Sequence, residues 1–480
     1  MDAPSSDLNA TNPYLRGPYA PVAHESFAEV EILAGELPAD LDGVFVRNGP
    51  NPKFAPRGRY HWFDGDGMLH AVHLRGGRAR YRSRWIQTVH LAEEEAAGQA
   101  LWRGLLEPTS DNPRSALFKD SANTDVVLFG HELLATWYIC GLPYRVDPIT
   151  LETLAPHRFG AERPRRISAH AKVDPVSGEL CFFAYGPKPS LDYGVVSAAG
   201  ELIHSVEIPL PGPRLPHDMA ITEHHAVLMD LPVFPTEKGL RERRWQVRFH
   251  PDVPARFGIV PRRGDADEIR WFEAAPCYIY HVVNAWEEGS EVVMVGCRVE
   301  DPTPPAERER DGIWARMMAN LRVRAKLHRW RFDLATGNTR EEVLDDRNTE
   351  FPALNMGRLG RPSRFAYNVS LADTPTLLFD GLVKYDLADG ATSAYSFGPG
   401  RFGSEPGFAP RAGADGRAGD EDDGYLVSFV HDQREDRSEL LVFDARDLGA
   451  GPCTRLALPE RVPLGFHACW VPGAAIAHGG

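Results

Sequence analysis

Arg331-Phe-Asp-Leu-Ala-Thr-Gly337 carries the reading of the fold. A strand end runs into an Asp, two or three residues follow, and a Gly closes the phrase. The Asp carboxylate can accept hydrogen bonds from the backbone of its own turn, and Gly takes the left-handed position. The phrase returns at Lys384-Tyr-Asp-Leu-Ala-Asp-Gly390, Lys172-Val-Asp-Pro-Val-Ser-Gly178 and Arg145-Val-Asp-Pro-Ile-Thr150, and more loosely at Val442-Phe-Asp-Ala-Arg-Asp447. Each copy predicts a hairpin. The steps from Asp333 to Asp386 to Asp444 are 53 and 58 residues, the length of one four-stranded propeller blade with its loops. The chain is therefore expected to be all-β. A propeller explains how a long all-β chain forms one domain, with residues distant in sequence meeting on its axis. A sandwich with similar hairpins stays open on this pattern alone.

Tyr278-Ile-Tyr-His-Val-Val-Asn-Ala-Trp-Glu287 reads as a buried strand with His281 in its middle. A buried imidazole needs a partner for each ring nitrogen. A metal on one side and an acceptor on the other meets both needs. Taken alone, such a histidine is more often an ordinary hydrogen-bonded core residue. Three more histidines start or interrupt apolar runs: His170 in Ile167-Ser-Ala-His-Ala-Lys-Val173, His217 in Leu215-Pro-His-Asp-Met-Ala-Ile221, and His467 in Leu464-Gly-Phe-His-Ala-Cys-Trp-Val471. Four imidazoles without a cysteine suit iron, copper, nickel or zinc. Their spacings of 47, 64 and 186 residues match no local zinc motif. His24, His131, His224, His225 and His478 lie in polar or turn contexts and read as surface residues.

The 480 residues are 43% hydrophobic and 25% charged, as in ordinary globular proteins. A net charge of −14 argues against a nucleic-acid surface. The six cysteines show no regular spacing and read as reduced residues of a cytosolic protein. The N-terminus shows no basic-then-apolar signal. No apolar run approaches the roughly 18 residues needed to cross a membrane. Residues 1–20 look like a polar arm lying over the body.

His61-Trp-Phe-Asp-Gly-Asp-Gly-Met-Leu-His-Ala-Val-His73 is expected to be a hairpin turning at Asp-Gly-Asp-Gly. It lacks the ligand spacing of a calcium loop. Helices are expected over 92–106, after an acidic first turn, and over 306–327. In the second, Ile313, Met317, Met318 and Leu321 recur at helical spacing. That stripe reads as packing against the body, with a membrane-facing role as the weaker alternative. No Gly-rich phosphate loop in a strand–loop–helix setting is present.

Taken together, the chain resembles the carotenoid cleavage oxygenases. The markers are Arg47-Asn-Gly-Pro-Asn-Pro52, His61-Trp-Phe-Asp-Gly-Asp-Gly-Met68, Ala122-Asn-Thr124, Ala169-His-Ala-Lys172, His217-Asp218, His281-Val-Val-Asn-Ala-Trp286, Glu350-Phe-Pro352, Glu405-Pro406 and Gly465-Phe-His467. They span nearly the whole chain in order. The resemblance implies a single seven-bladed propeller domain over 1–480, with a helical and loop cap over one face formed by insertions near 90–106 and 306–327. It implies Fe(II) on the axis, held by His170, His217, His281 and His467. Glu350 and Glu405 match glutamates that orient such histidines, by precedent His281 and His467. Thr124 matches a threonine beside the metal. The implied reaction is oxidative cleavage of a C=C bond with O2, giving two carbonyls.

The chain departs from the pattern at Tyr138. A further glutamate, supporting His217, is expected fourteen residues after Thr124, and Tyr138 stands there. Its hydroxyl is a candidate replacement partner. Stilbene-cleaving members place a lysine and a tyrosine where this chain has Trp137 and Leu105. Neither can hold and deprotonate a phenol. An apolar polyene is therefore the expected substrate. Phe63, Trp137, Tyr138 and the Leu231-Pro-Val-Phe-Pro235 loop are candidate tunnel walls. The alternatives are a stilbene or phenylpropenoid cleaver, retinoid isomerase chemistry, and a non-enzymatic propeller module. Peripheral membrane contact fits an apolar substrate. The oligomeric state is not legible.

Overall fold

The computed structural model describes residues 8–113, 116–411 and 419–477. His478 and the first seven residues of the expected arm lie outside them. Seven antiparallel sheets are arranged as blades around one axis. Their inner strands are Asp125–Phe129, Lys172–Val173, Ala220–Ile221, Tyr278–Glu288, Thr349–Ala353, the pair Arg401–Gly403 and Gly407–Pro410, and Ala468–Pro472. The propeller expectation holds and the sandwich alternative falls.

The blades stack through apolar side chains on both faces. Val292 shares a core cluster with Phe257 of the preceding blade, and its neighbour Val293 shares another with Ala366 and Val383 of the next. Cys181 and Phe182 divide in the same way between their two neighbours. A strand buried on both faces reads as a near-continuous apolar run rather than an alternation. Burial of these runs, at roughly 25 cal/mol per Å² of apolar surface, drives the stacking.

The recurring Asp performs the turn chemistry read from the sequence. Asp147 Oδ1 accepts from Ile149 N at 2.9 Å, and Asp174 Oδ1 from Val176 N at 2.8 Å. Asp333 Oδ1 accepts from Ala335 N at 2.8 Å. Gly178, Gly337 and Gly390 take φ of 69°, 82° and 76°. At the corresponding place after Asp147, Leu151 adopts φ 55°, held there by its fully buried side chain. The copies at Asp147, Asp333, Asp386 and Asp444 join third to fourth strands, whereas Asp174 joins a first to a second.

Two terminal segments close the ring. Ser26–Glu29 and Glu31–Gly35 are outer strands of two different blades, parted at Val30. Ala468–Pro472 pairs with Gly43–Pro50 and completes the blade that the N-terminal part of the chain begins. The arm lies on the body as expected. Tyr14 and Tyr19 are buried in the core of the cap beside Trp62, Trp314 and Met318.

Three local expectations are corrected. The first helix is Val89–Ala97, opened by Thr88, whose Oγ1 accepts from Leu91 N at 3.0 Å. Gly98 ends it at φ 66°, so 99–106 is not helical. The second region breaks into Arg308–Asp311, Gly312–Trp314 and Ala315–Asn320. Gly312 interrupts it at φ 56°, and a blade strand already begins at Ala325. Met317, Met318 and Leu321 pack inward with Trp314, while Ile313 is 52% exposed. Finally, Asp-Gly-Asp-Gly is not a hairpin turn. Trp62–Asp64 is a short helical turn, capped reciprocally by His61 and Asp64, and the strand starts at Gly67. Asp64 also accepts from Leu105 N at 2.9 Å, which ties the turn to the segment after the first helix.

Candidate metal centre

The inner ends of the blades converge on one small volume. His170, His217 and His467 lie just ahead of inner strands, and His281 lies within one. All four are about 95% buried. The ring of His170 is 5.0, 5.1 and 4.6 Å, centre to centre, from those of His217, His281 and His467. His217 and His281 stand 5.2 Å apart. His170, His281 and His467 each bring a ring nitrogen to within 4.8 Å of the others, close enough for one ion to bridge.

Carboxylates stand behind these rings. Glu350 bonds His281 Nδ1, and Glu405 lies 3.1 and 3.2 Å from His467 Nδ1. Both glutamates are buried, each beside the histidine named for it above. The Nε2 atoms of His170 and His281 are buried with no hydrogen-bond partner. Two unpartnered imidazole nitrogens in one buried cluster are costly unless an acceptor of their lone pairs completes them. A divalent cation fits this donor set, with the glutamates fixing each ring's tautomer through its Nδ1–H. Burial, and then the neighbouring imidazoles, hold His217 and His281 well below the usual histidine range, in the neutral form that ligates. Burial opposes charge on His467, but Glu405 outweighs it and raises the pKa.

Sequence reasoning missed the polar links that position this ring. Asp125 Oδ2 accepts from His170 N at 3.0 Å, joining two neighbouring inner strands. Asp218 pairs with Lys172 at 2.7 Å on one side and accepts from Val282 N at 2.8 Å on the other. Asn48 donates to the carbonyls of Ala122 and Asp125 at 2.7 and 3.1 Å, and so fixes the turn that carries Thr124. The signal was present: Asp125, Asp218 and Lys172 are charged residues inside apolar runs.

Above the histidines lies a cavity with about 1020 Å³ of atom-free space, counting its open mouth. Phe63, Tyr138 and Val233 line it, with Trp245, Phe351 and Phe466. Thr124 lines it too, while its Oγ1 donates to Asn123 Oδ1 at 3.1 Å and accepts from Tyr138 N at 3.1 Å. Two expectations are corrected here. Trp137 is absent from this wall: it lines a separate pocket together with Leu105, and also the open groove beside the cavity. The Tyr138 hydroxyl does not serve His217. It turns towards Tyr278 and Tyr185, and His217 Nδ1 is buried without a partner.

The family model described as retinal pigment epithelial membrane protein matches residues 19–472. The chain belongs to the carotenoid cleavage oxygenase family. A carotenoid 9,10(9',10')-cleavage dioxygenase 1 from Phaseolus vulgaris is 34% identical over 97% of this chain and 90% of its own length. The carotenoid cleavage oxygenase of Mycobacterium tuberculosis is 32% identical over 96% of this chain and 98% of its own. Among solved structures, the lignostilbene dioxygenase of Pseudomonas brassicacearum superposes with a TM-score of 0.86 at 29% identity, covering 96% of this chain and 99% of that one. A glutamate-to-glutamine variant of the Synechocystis apocarotenoid oxygenase gives 0.83, also at 29% identity, covering 95% and 98%. This oxygenase chain is therefore an enzyme, and the propeller-module alternative gives way. No helix among the described residues is long and apolar enough to cross a membrane.

Proposed function

We propose that this enzyme binds Fe(II) through His170, His217, His281 and His467 and cleaves a C=C bond of a carotenoid or apocarotenoid into two carbonyl products. The observation that carries the reading is the pair of unpartnered Nε2 atoms, on His170 and His281, in one buried histidine cluster beside an apolar cavity. Bound iron supplies the activation of O2 that the side chains cannot. Glu350 and Glu405 hold the Nδ1 protons of His281 and His467, which keeps each Nε2 lone pair free. Thr124, buried in the cavity lining, matches the family threonine beside the metal and would restrict one position there. Phe63, Phe351 and Phe466 exclude water and lie against the substrate's conjugated chain.

Substrate entry follows from shared walls. Leu215, Trp245 and Val247 line both the cavity and an open groove beside it. Leu117 and Leu240 expose large apolar side chains on that groove, where a poorly soluble polyene is taken up from its carrier or membrane.

The resemblance to a lignostilbene dioxygenase favours a second reading, cleavage of hydroxystilbenes. The cavity argues against it. Such a substrate needs a group that holds and deprotonates its phenol, and among the described residues no lysine or arginine lines the cavity. Burial pushes the Tyr138 hydroxyl up to about 12, so it cannot act as that base near neutrality. Purified, iron-loaded enzyme should cleave apocarotenoids in preference to resveratrol-like stilbenes, with product masses locating the bond. A kcat/KM for the hydroxystilbene above that for every polyene tried would overturn the polyene reading.

A further inference from the structure

The four histidines are not equally supported, and this inference rests on their proposed role as metal ligands. His281 and His467 have Glu350 and Glu405 behind them. His217 has no anion. Its ring lies 4.5 Å from that of Tyr138, tilted by 41°, with the edge of Tyr280 at 5.1 Å. An aromatic face carries no charge to offset a bound cation, and the buried Nδ1 of His217 has no acceptor.

His170 has what His217 lacks. The Asp125 carboxylate is buried. Its Oδ1 takes the Val126 N–H at 2.7 Å, and its Oδ2 takes the His170 N–H at 3.0 Å. That same Oδ2 lies 3.5 Å from His170 Nδ1. One oxygen thus addresses both the backbone and the ring of one ligand. The backbone needs it, because His170 adopts φ 65°, a left-handed conformation that a non-glycine residue takes only when its surroundings impose it. The ring needs it too. With Nδ1 turned to Asp125, the unpartnered Nε2 is left facing the other imidazoles.

We infer that Asp125 is a positioning residue of the metal centre: it supplies through His170 the anionic support missing behind His217, and His217 is the weakest-held of the four ligands. Negative charge around the ion is thereby kept, but moved one blade along the ring. A purely structural Asp125 would satisfy only the two backbone N–H groups, and its charge would be idle.

Cobalt(II) serves as the probe, since its affinity and visible absorption report the ligand set without turnover. Asp125→Asn keeps an oxygen for the His170 N–H but removes the charge. It should weaken Co(II) binding, measured against a competing chelator, by about 10–100-fold, and shift the absorption bands. Tyr138→Glu places a carboxylate beside His217. It should tighten Co(II) binding in the wild-type background and restore most of the loss in the double variant. Unchanged affinity and spectrum in Asp125→Asn would overturn the inference. Unchanged affinity in Tyr138→Glu would overturn the part of the inference that makes His217 the weakest-held ligand, whether or not the first variant folds. Wild-type protein that binds no Co(II) or Fe(II) would instead remove the metal reading beneath it.

Discussion

The outer ends of the blades and their inner ends obey different rules. Outer hairpins repeat one solution, an Asp carboxylate folded over its own turn, at Asp147, Asp333, Asp386 and Asp444. Inner ends share no such phrase. From blade to blade they present Asp125, His170, His217 with Asp218, His281, Glu350, Glu405 and His467. The outer turns face solvent and need only to reverse the chain. The inner ends share one buried volume, where each charge must be answered by a neighbour. Repetition therefore reports architecture, and its interruption reports chemistry.

Four substitutions test that contrast. The largest effect belongs to the inner histidines. His281→Ala removes a proposed ligand and strands Glu350 without its partner. Iron content should fall and turnover should drop to background, while circular dichroism keeps the β-sheet signature. Next come the carboxylates. Glu350→Gln or Glu405→Gln preserves shape and removes charge, and kcat/KM should fall by about 10–100-fold. An unchanged rate in both would mean that the inner ends are no more chemical than the outer ones. The smallest effect lies outside. Asp147→Ala deletes the acceptor for Ile149 N and Thr150 N. It should cost about 1 kcal/mol in urea unfolding and leave kcat/KM untouched.

The legibility of the sequence divides along the same line. Hairpins were readable because an Asp and its turn lie within a few residues. The four histidines and two glutamates were readable because each sits in a short ordered marker. Helix limits were misjudged where one glycine overrode a favourable run, at Gly98 and Gly312. Trp137 was assigned to the cavity wall because sequence alone does not say which of two adjacent residues reaches the cavity and which the groove beside it. Asp125 was not recognised because its partner, His170, is 45 residues away and meets it only when two blades dock.

The pairing of Ala468–Pro472 with Gly43–Pro50 also sets a timetable. During synthesis, the early strand waits with an open edge while more than four hundred residues are made. Such an edge invites pairing with another chain. The segment that covers it carries His467 directly ahead of its strand. Completion of the ring and completion of the ligand set are thus one event. A ribosome-bound or prematurely terminated chain lacks both, so on the proposed reading metal uptake marks the finished molecule.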